Sequence, residues 1–522
     1  MRTVPLRAFR LAASAVLLAT ALSARPAAAQ DLASFEARTT VHKLANGWTF
    51  LIVERPVAPV FSFATVADVG SAQEVPGITG LAHMFEHMAF KGTRTVGTRD
   101  WENEKKAIDA LEAAYQAWQA ERLAARPDPK KLETLQAAFR SRQQEATRFV
   151  ISNELDDVLF REGVVDLNAS TGADVTRYYY SLPSNKVELF AFLESERFAH
   201  PVFREFYEER DVVQEERRQR LEGSGFGRLI EPFLITAFQA HPYKQPGIGY
   251  MSDLQSITIT DAENFFQTYY APSNLITAIV GDVQAKTLIP ILEKYFGRIP
   301  ARPSPPPLRT VEPPQIAEKI VILEDPAQPL YLEAYHKPAI THPDQPVWDA
   351  IDDILVNGRT SRLYRSLVRD QKVAVDVQSY ASLPGEKYPN VWTVLATPAV
   401  GVTNERVQAA LRAELERLRR EDVTPEELAG FKARARASLL RGLRSNLGLA
   451  LQLADNQRLY GDWRELFRSL DRVEKVAPAD LRRVAGEAFQ GANRTVGMIV
   501  TTGAGGKDDK DSKDNKDQEN RR

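Results

Sequence analysis

Beyond its first thirty residues, the chain alternates short runs of apolar positions with longer stretches of helical spacing. Trp48-Thr-Phe-Leu-Ile-Val53 and the run from Val60 to Val66, where Phe61 and Phe63 alternate with Ser62 and Ala64 just after Pro59, predict two early strands. From Gly80 the pattern turns helical through the His83 region. Between about Asp100 and Thr147, Ile108, Leu111, Tyr115 and Trp118 recur at helical intervals, Arg126-Pro-Asp-Pro129 interrupts them, and Leu132, Leu135 and Phe139 resume. A helical hairpin is the expectation. A strand ending near Asn168-Ala-Ser-Thr171, helices over Lys186–Ala199 and Glu205 to about Arg220, and a buried strand over Thr277–Val280 follow.

The segment Ile299-Pro-Ala-Arg-Pro-Ser-Pro-Pro-Pro307, continuing to Pro313-Pro314, is too rich in proline for a helix or a central strand, and predicts an extended linker over 299–314. After it, strands are expected at Ile320–Leu323, Val391–Ala396 and Val496–Val500. A helix start is marked by Thr424 as N-cap, Pro425 behind it and Glu427 three residues on. From Gly503 the charges alternate without apolar residues, which predicts a disordered tail over 503–522.

At 522 residues the chain exceeds a single compact core, and its 43% hydrophobic and 26% charged residues belong to a globular protein. The 67 basic and 69 acidic side chains leave a net charge of -2, which gives no positive field to draw nucleic acid. Arg2, Arg7 and Arg10 precede an apolar run from Leu11 to Ala24 and the small residues Ala27-Ala28-Ala29, the pattern of a secretory signal peptide over 1–29. The mature chain is then expected in the periplasm or outside the cell, with no stable membrane anchor. Because the sequence holds no cysteine, any metal must sit on His, Asp or Glu.

Gly80-Leu-Ala-His83-Met-Phe-Glu86-His87-Met-Ala-Phe90 carries the candidate chemistry. On a helix, His83 and His87 at i and i+4 present two imidazoles to one ion, with Glu86 beside them. A catalytic zinc needs a third protein ligand and an open position for water, from which Glu86 would take the proton. An ordinary amphipathic helix with two incidental histidines is the competing reading, and a third ligand decides between them. Glu209 and Glu216 lie seven residues apart, hence on one helical face, with Val212 and Val213 able to pack beneath. One carboxylate can bind metal while the other orients a ligand; by spacing alone, a solvated face of Glu and Arg pairs is the favoured reading.

These residues resemble the insulinase and pitrilysin metallopeptidases, which include the mitochondrial processing peptidase and short bacterial members. His83-Met-Phe-Glu86-His87 with Phe90-Lys-Gly-Thr93 is similar to the family's inverted zinc motif. Asn168-Ala-x-Thr171 with Thr176 and Tyr178, Glu209-Arg-Asp-Val-Val-x-x-Glu216, His241-Pro-Tyr243, Tyr270-x-Pro272-x-Asn274 and Gly281-Asp282 follow in family order. The resemblance implies an α+β fold of two similar domains, each a mostly antiparallel sheet packed with helices on one face. A catalytic domain would span 30–298 and a substrate-binding or structural domain 315–502. It implies one zinc ion per chain on His83, His87 and Glu216, with Glu86 as general base, Glu209 as a supporting carboxylate and Glu215 as a bystander. Asn168 and Ala169 would face an extended peptide substrate paired along a strand edge.

Two departures stand out. His87 and Glu216 are 129 residues apart, more than the family usually shows, and the hairpin is the insertion responsible, expected to decorate the rim of the chamber. Within Ser361 to Val377, Arg369 matches the family's substrate-binding arginine, but Val375 stands where a tyrosine is expected. That incomplete pair implies a homologous partner subunit in a heterodimer, or else a homodimer or a chain closing on weaker contacts. The competing function is a non-catalytic binding or assembly subunit.

Overall fold

The computed structural model describes residues 32–502. The signal peptide expected over 1–29 and the charged tail over 503–522 lie outside the described residues. Eleven strands are described: β1 (Thr39–Lys43), β2 (Thr49–Glu54), β3 (Val60–Ala67), β4 (Val165–Thr171), β5 (Thr176–Pro183), β6 (Leu275–Gly281), β7 (Lys319–Asp325), β8 (Leu330–Lys337), β9 (Ala374–Leu383), β10 (Asn390–Pro398) and β11 (Arg494–Thr501). They form two sheets, in the orders β1-β2-β6-β3-β5-β4 and β7-β11-β8-β10-β9.

Once β1 is set aside, the two orders are the same. In each, the first strand of the half pairs parallel with its last (β2 with β6, β7 with β11), and every other pairing is antiparallel. The chain is therefore an α+β fold of two similar halves with mostly antiparallel sheets. The segment between them is irregular from Pro300 to Glu318 yet tied down: the Glu312 carboxylate accepts the backbone N–H groups of Gln239, Ala240 and His241 at 2.6–2.9 Å.

Alternation along the strands sorts the core into two faces. Phe50, Ile52, Phe61, Phe63 and Ile279 pack with Phe190, Leu292 and Phe296, which belong to helices of the same half. Leu51, Val53, Ala64, Val66, Ala278 and Val280 point the other way and meet Leu449, Ala450, Leu453 and Ala454 of the helix Asn446–Tyr460, which comes from the second half. Ala64 and Ala278 are register partners, so a flat surface of small side chains meets the alanines of that helix. The loan is returned. Phe233, Leu234 and Ala237, from the helix Gly225–Ala237 of the first half, pack on Leu332, Ala334 and Val391 of the second sheet. Each sheet thus carries its own helices on one face and a borrowed helix on the other, a coverage that the strand pattern of either half alone did not indicate. No described helix is long and apolar enough to cross a membrane.

The expected hairpin is present as helices Trp101–Arg122 and Pro129–Thr147, capped by Asp100 and by Asp128 with Pro129 behind it. The Tyr115 ring, tilted, and the Phe139 ring, edge-on, pack against Tyr207 at centroid distances of 4.3 and 5.3 Å, so the hairpin lies against the helix Phe206–Arg217 that carries Glu209 and Glu216.

Candidate metal centre

The motif forms a short helix, Leu81–Met88, whose Leu81, Ala82, Met84, Phe85 and Met88 are buried and so fix which face remains for His83, Glu86 and His87. Its start is built without a side-chain cap. Gly80 adopts φ +97, where a Cβ would come within 2.8 Å of the Ile248 carbonyl oxygen, and the buried Glu74 takes the role of cap. Gly80 N and Ala82 N donate to the two Glu74 carboxylate oxygens at 2.8 and 2.7 Å, satisfying donors that the helix leaves unpaired. Burial pushes the Glu74 carboxyl up to about 8, against the pull of those two N–H groups.

Opposite this helix lies Phe206–Arg217, and the seven-residue interval brings both of its glutamates to the histidines. Glu216 Oε2 is 3.6 Å from His83 Nε2 and 3.3 Å from His87 Nε2. One ligand atom from each of His83, His87 and Glu216 falls within 4.8 Å of the other two. Glu209 Oε2 is 3.2 Å from His87 Nδ1, the far side of that ring, and Lys91 Nζ holds the other Glu209 oxygen at 2.5 Å and Glu205 at 3.0 Å. Arg220 reaches the second oxygen of Glu216 at 2.8 Å. Of the two valines expected beneath the glutamates, Val213 is buried but Val212 is half exposed.

The electrostatics separate the two imidazoles. Burial drives His83 down to about 4, with its neighbours His87 and Arg220 adding to the effect and Glu216 opposing it. Burial also works against charge on His87, but the hydrogen bond and charge of Glu209, with those of Glu216 and Glu86, hold its pKa above the ordinary value. Glu209 is depressed, because the hydrogen bonds from His87 and Lys91 outweigh its desolvation.

The donor set fits zinc: two imidazoles and a carboxylate converge, and a second carboxylate orients one imidazole from behind. His83 Nδ1 is buried with no hydrogen-bond partner among the described residues. Glu86 projects beside His87 into a cavity of about 320 Å³ that Phe90, Ile151, Leu155 and Asp156 also line.

Asn168 and Ala169 lie on β4, the outermost strand of the first sheet, which packs against the motif helix. Ala169 is buried, whereas Asn168 is exposed and its Oδ1 accepts from Ala169 N at 2.8 Å. Arg369 is not brought to this centre: it lies in the turn Tyr364–Asp370 of the second half, exposed and paired with Asp370 at 2.6 Å. Val375 is exposed on β9. Glu215 points away and pairs with Arg218 at 3.0 Å. Several other residues in the family order are structural. Thr176 donates to the Val69 carbonyl at 3.0 Å, the Tyr178 and Tyr270 hydroxyls meet at 3.0 Å, and the Tyr243 hydroxyl donates to Asp174 at 2.7 Å. Sequence reasoning missed Glu74, Lys91 and Arg220. Lys91 and Arg220 each follow a site residue by four positions, a spacing that was available; Glu74 left no such signal.

A two-halved α+β protein with two histidines and a glutamate gathered between a motif helix and a second helix defines a class of metallopeptidase-like folds. The chain belongs to the insulinase family: the model described as Insulinase (Peptidase family M16) matches residues 49–140, and that described as Peptidase M16 inactive domain matches 256–434. It is 28% identical to Zinc protease PqqE of Helicobacter pylori over 434 residues, 82% of this chain and 84% of that protein. It is 22% identical to Uncharacterized zinc protease YmxG of Bacillus subtilis, over 85% of this chain and 93% of that one. Among solved structures, a protease from Helicobacter pylori superposes with a TM-score of 0.74 at 26% identity, over 88% of this chain and 99% of that one. The periplasmic protease PqqL from Escherichia coli shares the fold, with a TM-score of 0.64 at 18% identity over 89% of this chain and 48% of that one.

Proposed function

We propose that the chain is an exported zinc metalloendopeptidase that cleaves flexible or unfolded peptides. The observation that carries the reading is the convergence of His83, His87 and Glu216 within 4.8 Å, with Glu86 beside His87 in the lining of a cavity. Names of the relatives support a zinc-dependent peptidase chemistry, and the complete motif argues against the non-catalytic alternative.

His83, His87 and Glu216 would hold one zinc ion. When bound, the ion supplies a Lewis acid that acidifies water and polarises a carbonyl. Glu86 takes the proton of the attacking water and returns it to the leaving amine. Glu209 accepts the Nδ1–H of His87, which turns the Nε2 lone pair toward Glu216 and keeps the ring oriented. The free edge of β4, beside the motif helix, would receive the substrate as an added strand through main-chain hydrogen bonds, placing Asn168 and Ala169 against it. Such pairing demands an extended peptide, so folded domains would be poor substrates.

Arg369 and the exposed position of Val375 do not complete a substrate clamp within the chain. A homologous partner subunit, or a second copy, would face β4 and supply the missing contacts; the likeness to less than half of the longer PqqL chain supports an assembly of two such units. The Arg-flanked apolar run and small residues at the N-terminus support export to the periplasm or beyond.

The test is cleavage of a flexible quenched peptide by the zinc-loaded protein. Loss of turnover with a chelator, and its return with zinc, is the expected result. Turnover indifferent to metal would overturn the reading.

A further inference from the structure

The hairpin Trp101–Arg122 and Pro129–Thr147 divides its contacts between the segment from Gln255 to Thr260 and the elements that carry the ligands. We propose that it is a structural part of the metal centre: Glu104, acting through Arg204, is a positioning residue that holds the two ligand-bearing helices at metal-binding distance. The inference rests on the reading of His83, His87 and Glu216 as a zinc site.

Arg204 is the junction. Its Nε and one Nη donate to the two Glu104 carboxylate oxygens at 2.6 and 2.9 Å, and the side chains of both partners are almost wholly buried. The same guanidinium donates to the Thr93 carbonyl at 3.1 Å, to the Val96 carbonyl at 3.3 Å and to the Lys91 carbonyl. Those three carbonyls belong to the loop that leaves the motif helix, and Arg204 itself stands two residues before the helix Phe206–Arg217. One buried charge therefore ties the exit of the histidine helix to the entrance of the glutamate helix, and the hairpin's Glu104 supplies the counter-charge.

Helical geometry places the remaining contacts on the correct face. Tyr207 sits about 200° from Glu209 at 100° per residue, so it faces away from the metal side, and there its hydroxyl donates to Glu112 at 2.5 Å. Arg210 donates to the Tyr115 hydroxyl at 2.5 Å and to the Ile257 carbonyl at 3.1 Å. The hairpin thus grips the back of the helix whose front presents Glu209 and Glu216. Its tip, Ala124 to Pro127, is exposed and makes none of these contacts.

A buried arginine deprived of its carboxylate keeps only carbonyl partners, which do not balance its charge. In Glu104→Gln the loop and the helix entrance are then free to shift by the fraction of an ångström that a metal site feels. The experiment is a competition titration of zinc against a chromophoric chelator, with circular dichroism and a melting curve on each metal-free protein. Glu104→Gln is expected to bind zinc about 10–100-fold more weakly than the parent, as substitutions behind metal ligands do. Arg126→Ser at the tip is expected to match the parent. Should Glu104→Gln not fold, Tyr115→Phe, which loses the hydroxyl that accepts from Arg210 and donates to the Gln255 carbonyl, takes its place with an expected loss of several-fold in affinity. A folded variant with a lowered melting point but parental zinc affinity would overturn the proposal and leave the hairpin a mere stabiliser. A parent that binds no zinc would instead overturn the zinc site itself.

Discussion

Glu209 Oε2 lies 3.2 Å from His87 Nδ1, and the other nitrogen of the same ring lies 3.3 Å from Glu216. Two carboxylates on one helix face thus address opposite sides of one imidazole. The pairing selects a tautomer: Nδ1–H donates to Glu209, and Nε2 is left with its lone pair toward the centre. Glu209→Gln keeps the shape but weakens that orientation. We expect zinc affinity to fall about 10–100-fold in a folded protein, read by competition titration, and an unchanged affinity would contradict the role assigned to Glu209.

Glu216 and Glu215 offer an internal contrast. Glu216 is turned to both histidines, whereas its neighbour is solvent-facing and paired with Arg218. Glu216→Gln is expected to leave the purified protein largely without zinc, and Glu215→Gln to retain the parental content. Metal analysis of the two proteins decides the matter, and the reverse pattern would exchange their roles.

Acid should release the metal through His87. Its pKa in the metal-free protein stands above the ordinary 6.5, so an incoming ion must displace a proton over the mildly acidic range. His83, held down to about 4, is already neutral there. Zinc affinity should therefore fall by about tenfold per pH unit below the His87 pKa and level off above it, one proton being displaced. In Glu209→Gln, which removes the hydrogen-bonded charge that raises His87, the levelling should begin at a lower pH. Identical profiles for the two proteins would contradict this coupling.

A fourth expectation concerns the joint between the halves. The Arg458 side chain, on the borrowed helix, is 1% exposed and faces Asp68, Glu386 and Asp455 at 3.3–3.5 Å. Arg458→Met would leave Glu386 without its cation and Asp68 and Asp455 with only Lys387 and Arg177. A loss of about 3 kcal/mol in stability is expected, seen as a lower calorimetric melting temperature, since breaking one side of a buried ion pair is costly. An unchanged melting point would show that the halves do not depend on this contact.

Much of this was legible in the chain itself. The His83-x-x-Glu86-His87 spacing requires a helix to make sense, and the seven residues between Glu209 and Glu216 likewise. The proline-dense segment at 299–314 and the Arg126-Pro-Asp-Pro129 break fell where the structure has its irregular crossing and its hairpin turn. What could not be read was long-range. β5, β8 and β9 carry polar or aromatic residues whose burial depends on partners elsewhere, as with Tyr180, whose hydroxyl donates to the buried Glu194 at 3.0 Å. The exchange of helices between the halves left no local mark, because Ala450 and Ala454 look like ordinary helix formers until Ala64 and Ala278 are placed opposite them. Glu104 and Arg204 are likewise 100 residues apart, and their pairing emerges only from the packed hairpin.

The most direct measurement is a paired assay of metal content and peptide cleavage on the parent and Glu86→Gln proteins. The account predicts about one zinc per chain in both, since the three proposed ligands are intact, and a fall in turnover of about 10²–10⁴-fold in the variant, the range for removing a general base. Parental turnover in Glu86→Gln, with zinc bound, would contradict it.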